Sequence, residues 1–251
     1  MTNHCYCVVC RTKNPASLTK CEVCGENLPT ATRTNPVNSE EFRSTPMAVF
    51  DIDNTILDST QRFQDAYRAK IVDKEGKALK KKTFETMGTA MKRRNEFLYK
   101  PTNLSKDKVI PGSQALINDL IAKGYMIAYV TARPFEFHQD THSQLEEKGF
   151  PIFRSNTGEL LLTSKPKGGK TAAAYKVQAL IALSQQYDVR MFFDDSTDIL
   201  SAVASEPSLD IPGIYSSIKE YRQYQSRSNP MQYIVREDAN RRNPPVKPRR
   251  K

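Results

Sequence analysis

Two carboxylates separated by one residue stand at the end of a short apolar run, where Met47-Ala48-Val49-Phe50 leads into Asp51-Ile52-Asp53-Asn54-Thr55. Backbone alternation puts Asp51 and Asp53 on one side of the turn, close enough to share a cation and do separate jobs. One Asp there reads as a turn cap, but two repel each other unless a metal or substrate rewards the pair. A second acidic cluster follows another apolar run, Met191-Phe192-Phe193 giving way to Asp194-Asp195-Ser196-Thr197-Asp198. Hard oxygen ligands of this kind suit Mg²⁺, which keeps several waters and also binds phosphate. Between the two, Tyr129-Val130 runs into Thr131-Ala132-Arg133-Pro134. Thr131 can offer a phosphate oxygen a hydrogen bond and Arg133 a bidentate charge contact. Alone, Thr-x-Arg is a helix cap with a surface charge; its position gives it weight.

A different chemistry sits at the start of the chain. Cys7 and Cys10 form one C-x2-C pair and Cys21 and Cys24 another, ten residues apart, with Gly25 placed for a sharp turn. Four thiolates so spaced can surround a tetrahedral Zn²⁺ at roughly 2.3 Å. So short a segment has few apolar residues, and metal binding would supply most of its folding free energy. Free thiols and a redox C-x-x-C are the competing readings; neither pair opens a helix after a strand, as the redox motif requires. All five cysteines lie in the first 24 residues, which excludes a disulfide scaffold for the rest.

The elements that must position these groups are legible as alternation. Short apolar runs at Met47–Asp51, Met126–Val130, Leu160–Leu162, Met191–Phe193 and Ile211–Tyr215 are separated by helical patterns at about 112–123, 136–148, 169–186 and 196–205. That rhythm predicts an α/β fold with a parallel sheet and right-handed crossovers. In such a sheet ligands bind beyond the carboxyl ends of the strands, where each polar cluster falls. The predicted organisation is a zinc finger over 1–30, a Pro-, Thr-, Asn- and Ser-rich linker over 31–45, and an α/β domain over 46–218. A basic helical insert at 58–108 interrupts that domain, and a basic tail covers 219–251.

The chain has 251 residues, 38% hydrophobic and 26% charged, far from the disordered extreme. No apolar run approaches the roughly 20 residues that span a bilayer, and no apolar stretch follows Met1, so a cytoplasmic protein without membrane contact is expected. The net charge of +10 is uneven. Residues 62–108 hold fourteen Lys and Arg against six Asp and Glu, and 236–251 hold seven against two, whereas 46–61 hold three Asp and no base. Lys77–Lys82 and Lys92–Arg94 can be a solvated face. Beside an acidic site, they favour contact with a polyanion such as a nucleic-acid strand or end. Lys165, Lys167 and Lys170 read as a solvated loop, and His138 and His142 as a polar helix face in preference to a metal pair.

The motifs Asp51-x-Asp53-x-Thr55, Thr131, a downstream Lys and Asp194-Asp195 with Asp198 resemble the haloacid dehalogenase (HAD) superfamily over roughly 46–216. The resemblance implies a HAD-like Rossmannoid sheet and a Mg²⁺-dependent phosphatase. Asp51 would be the nucleophile that forms an aspartyl-phosphate, with Asp53 as general acid and then base. Asp51, the backbone carbonyl of Asp53, Asp194 and Asp195 would hold Mg²⁺, and Thr131 and a Lys would neutralise the transferring group. Asn54 stands where the family usually has Gly; Asn also accepts left-handed turns. Within the superfamily, Gly124-Tyr125-Met126-Ile127 before Arg133 and Tyr187-Asp188-Val189-Arg190 before Asp194 resemble the phosphatase domain of phage polynucleotide kinase-phosphatases. That likeness makes Lys176 the catalytic Lys, with Lys170 the alternative, and Arg62 and Arg133 substrate contacts. An acidic residue expected four before the Lys is Ala172 here.

The cysteine spacing, with Asn14, resembles Ran-binding-protein-type zinc fingers, whose members bind single-stranded RNA or ubiquitin. Cys5 stands where RNA-binding members carry a stacking Trp. The leading expectation is removal of 3′-phosphates from nucleic-acid ends, with a protein partner of the zinc finger also open. The alternatives are a phosphatase for free nucleotides or small phosphate esters, and an RNA- or ubiquitin-binding adaptor with a phosphatase-like body.

Overall fold

The computed structural model describes His4–Tyr6, Lys13–Pro15 and residues 45–225, the last without 82–83, 156–157 and 168–169. β1 (His4–Tyr6) and β2 (Lys13–Pro15) pair antiparallel, with Cys5 opposite Asn14. The four expected Zn²⁺ ligands Cys7, Cys10, Cys21 and Cys24 lie outside the described residues. So do residues 31–44 of the linker and 226–251 of the tail.

The body is a parallel sheet of β3 (Pro46–Phe50), β6 (Met126–Pro134), β7 (Leu162–Lys165), β8 (Asp188–Phe193) and β9 (Gly213–Tyr215), in the spatial order β7-β6-β3-β8-β9. Chain order runs outward on one side of β3 and then on the other, so the switch in direction falls at the carboxyl end of β3. Alternation along β3 divides the core. Ala48 and Phe50 face a cluster with Leu116, Ile117 and Leu120 of α4 (Ser113–Ala122) and Leu145 of α5 (His138–Glu147). Met47 and Val49 face the other side, with Tyr175, Leu180 and Leu183 of α6 (Ala172–Ser184) and Ile199 and Val203 of α7 (Thr197–Ala204). With both faces covered, the strands read as unbroken apolar runs, as parallel sheets require. Phe50 and Phe193 stack at 4.5 Å between ring centres, fixing the strand ends that carry the two acidic clusters.

The basic insert is a small cap with its own core. It comprises α1 (Thr60–Arg68), α2 (Met87–Tyr99) and the short α3 (Pro101–Leu104), which bury Ala66, Ile71, Val72, Leu98, Tyr99 and Leu104 together. β4 (Leu57–Asp58) and β5 (Lys108–Val109) pair antiparallel at its neck. That pairing is why residues distant in sequence enter and leave the cap side by side.

Two expectations about elements need correction. β6 does not end at Val130; it continues through Thr131-Ala132-Arg133, with an irregularity in its pairing to β7 between Thr131 and Pro134. Such a bulge re-aims side chains, and Thr131 and Arg133 both point into the protein, 1% exposed. The tail read from 219 onward begins inside a helix, α8 (Ile218–Gln225), because Ile218 and Tyr221 pack on the Phe50 side of the core.

Candidate active site

The loop after β3 turns back on itself through Asn54, whose φ of 60° is left-handed. Its carboxamide oxygen accepts hydrogen bonds from the Ser59 backbone N–H at 3.2 Å and hydroxyl at 2.9 Å, closing the turn. Asn therefore serves where Gly would be the usual choice. Thr55 Oγ1 accepts from the Asp195 backbone N–H at 3.1 Å, so the first acidic motif is bonded directly to the second.

Asp51 is 5% exposed and Asp194 fully buried. Lys176, 1% exposed on α6, places its Nζ 2.7 Å from Asp51 Oδ1 and 2.6 Å from Asp194 Oδ2. This settles the position of the two lysines: Lys176 stands between the carboxylates, whereas Lys170 is exposed and donates to Gln178. Burial pushes the Asp51 carboxyl up, Lys176 opposes this, and Asp194 and Asp53 push in the same direction as burial. Burial and then Asp51 lift the Asp195 carboxyl to about 6. Lys176 is held charged: burial alone would lower its pKa, and the two carboxylates more than reverse that.

Among the described residues, Asp51, Asp194 and Asp195 form a group able to hold a metal, with ligand oxygens within 4.8 Å of one another. The donor set is hard oxygen, as Mg²⁺ requires. Charge balance agrees. Asp51, Asp53, Asp107, Asp194 and Asp195 face Lys176, Arg62 and Arg133, leaving two negative charges, which one divalent cation balances. The residues present fit Mg²⁺.

Asp53 lies outside that group of side chains because its carboxylate belongs to two arginines. Arg133 approaches with Nε at 3.0 Å and Nη2 at 2.7 Å, and Arg62 donates from its own Nη2. Burial would raise the Asp53 pKa, but Arg133 and then Arg62 hold it well below the ordinary carboxylate range. Sequence reasoning missed Asp107 and Gln144. Both are buried, and both hold these arginines. Asp107 is a lone Asp, 45 residues from Arg62 in sequence, with no motif to mark it. Arg62 and Arg133, the expected phosphate contacts, are buried and both engage the Asp53 carboxylate in the substrate-free structure. His138 rests on Ser164 at 3.1 Å and His142 lies beside Glu146, in keeping with a polar helix face.

The titrating carboxylates give a testable pH dependence. A carboxyl raised by the fold contributes stability that is complete below the usual carboxylate value of about 4 and lost as pH rises through its folded value, about 6 for Asp195. Asp53, shifted the other way, contributes in full above about 4 and loses that contribution only as pH falls further, so it does not oppose this in the same window. Metal-free protein should therefore lose Tm from its raised carboxyls between about pH 4.5 and 7, and Mg²⁺ should restore more Tm near pH 7.5 than near pH 5. Equal Mg²⁺ shifts at the two pH values would contradict the assignment of these carboxylates.

A parallel sheet with a carboxylate pair at its switch point, a buried lysine on the first carboxylate and an acidic pair on the neighbouring strand define a phosphohydrolase of the HAD type. The chain belongs to the HAD superfamily, subfamily IIIB (acid phosphatase), whose family model matches residues 30–234. It is 25% identical over 183 residues to a Bacillus cereus protein with the provisional name of nucleotidase, covering 70% of this chain and 87% of that one. A class C acid phosphatase of Bacillus anthracis, solved with tungstate, is 18% identical with a TM-score of 0.41. That match covers 62% of this chain and 54% of the other, so the chain spans about half the length of that protein. A haloacid dehalogenase-like hydrolase of Streptococcus pneumoniae is 15% identical with a TM-score of 0.48, over 72% of this chain and 98% of that one. Among the described residues no helix is long and apolar enough to cross a membrane.

Proposed function

We propose that the protein is a Mg²⁺-dependent phosphomonoesterase that hydrolyses small phosphate esters, with free nucleotides its main substrate class. The observation that carries this reading is the Asp51–Lys176–Asp194 arrangement, at 2.7 and 2.6 Å, beyond the end of β3. Family membership supports the reaction, and the Bacillus cereus relative supports the nucleotide class.

In this reading Asp51 attacks phosphorus and takes the phosphoryl group as an acyl phosphate, which water then cleaves. Lys176 neutralises charge on the transferring oxygens, and Thr131, buried at the end of β6, is the hydroxyl assigned to the same task. Asp51, Asp194, Asp195 and the Asp53 carbonyl would hold Mg²⁺, which supplies further charge neutralisation when bound. Asp53 gives a proton to the leaving oxygen and later takes one from water. Its two arginines keep it ionised in the substrate-free protein, the form needed for the second task. An arriving phosphate adds negative charge beside it and offers the guanidiniums another partner; both raise its proton affinity for the first task.

A second reading, polynucleotide 3′-phosphate ends, is favoured by the exposed cap lysines Lys74, Lys77, Lys80, Lys81 and Lys92. Phosphate release from mononucleotides, p-nitrophenyl phosphate and a 3′-phosphorylated oligonucleotide, with Mg²⁺ and a salt titration, separates the two. We expect a higher kcat/KM on mononucleotides, with weak salt dependence. Preferential oligonucleotide turnover, falling steeply with salt as counterion release dictates, would establish the second reading in its place.

A further inference from the structure

Behind Asp53 lies a buried polar cluster that the proton-transfer chemistry alone does not require. Asp107, the residue before β5, and Gln144, on α5, are 1% and 3% exposed. Arg62 Nε donates to Asp107 Oδ1 at 2.9 Å and to Oδ2 at 3.1 Å. Gln144 uses both ends of its carboxamide. Its Oε1 accepts from Arg133 Nη1 at 2.6 Å, while its Nε2 donates to the Leu104 carbonyl at 2.6 Å and to Asp107 Oδ2 at 3.0 Å. Arg133 Nη2 also lies 3.5 Å from Asp107 Oδ2. A buried carboxylate is costly unless paired, and this one is paired with the two arginines that hold Asp53. One carboxylate leaves each guanidinium several poses around it; a second carboxylate and an amide fix the planes of both.

We propose that Asp107 and Gln144 are positioning residues for phosphoryl transfer: they lock the guanidiniums of Arg62 and Arg133, which in turn fix the Asp53 carboxylate beside the leaving oxygen. Because Asp107 sits at the cap's return strand and Leu104 ends α3, the same bonds tie the cap to the acid. The proposal rests on the reading of Asp53 as the proton donor.

The test compares kcat/KM for p-nitrophenyl phosphate, whose leaving group needs little protonation, with that for glycerol 2-phosphate, whose alkoxide needs it. Asp53→Asn is the reference variant; Asp107→Asn and Gln144→Leu are the test variants, with thermal melting of each. Gln144→Leu removes no charge and carries the test should Asp107→Asn fail to fold. Asp53→Asn should lose about 100-fold or more on the glycerol ester and far less on the aryl ester. Asp107→Asn and Gln144→Leu should show the same pattern, with about 10- to 100-fold loss confined to the glycerol ester. Equal losses on both esters, or none, in the two test variants would overturn the positioning role while leaving Asp53 in place. A uniform loss in Asp53→Asn would overturn the proton-donor reading, and the positioning role with it.

Discussion

Asp51→Asn will abolish phosphate release, by roughly four orders of magnitude or more, in a protein that remains folded. The substitution is nearly isosteric, and the Asp51 backbone N–H keeps its bond to the Phe193 carbonyl at 2.8 Å. What disappears is the attacking oxygen. The structural cost is small because Asp51 is the carboxylate that burial, Asp194 and Asp53 all push toward neutrality. Lys176 keeps Asp194 as its partner at 2.6 Å. The melting temperature at neutral pH without metal should therefore be unchanged or higher. Turnover within tenfold of the parent would remove Asp51 from the mechanism. The adaptor reading also meets its test here, since an adaptor's ligand binding would be untouched by the change.

Lys176→Met will have the largest structural effect. Both partners of this lysine are buried, and removing its charge leaves Asp51 and Asp194 facing each other with nothing between them. Breaking a buried ion pair from one side costs about 3–5 kcal/mol, a large share of the 5–15 kcal/mol typical of a domain. The loss should be read as a lower denaturation midpoint without metal, with Mg²⁺ recovering part of it, and turnover should fall with it. Lys170→Ala is the control. Its side chain is exposed, and its removal should change stability by no more than about 0.5 kcal/mol and leave activity intact. A loss of activity in Lys170→Ala with Lys176→Met unaffected would reverse the roles of the two lysines.

The parts of this site that sequence could reveal are those where residue type and strand period coincide. Asp51, Asp53, Thr131, Asp194 and Asp195 all follow apolar runs that a buried parallel strand demands, so the sheet and its chemical stations were legible together. Asn54 was legible as a left-handed turn because few other residues accept one. Lys176 was harder, since it sits in the middle of an apolar helix between Tyr175 and Val177 and competes with a lysine-rich loop upstream. The packing of α6 on the Met47 and Val49 side of the sheet puts its amine between two carboxylates. Arg62 and Arg133 are recognisable in sequence, but their carboxylate partners are not. An arginine that binds a phosphate and one that binds a carboxylate look alike in sequence, and the deciding partner, Asp107, is brought in by the cap's return. The helix over Ile218–Gln225 is hidden in the sequence for a related reason. Ile218 and Tyr221 supply only one apolar contact per turn, too weak a period to predict a helix without the Phe193 and Tyr215 rings they cover.

In the proposed reaction Asp51 carries the phosphoryl group. Acid quenching during turnover of p-nitrophenyl phosphate with Mg²⁺, followed by peptide mass analysis, tests it directly. The predicted result is the mass of one phosphoryl group on the peptide that contains Asp51, localised to that residue and missing from Asp51→Asn. Turnover at the parent rate with the phosphoryl group on another residue, or persisting in Asp51→Asn, would contradict it.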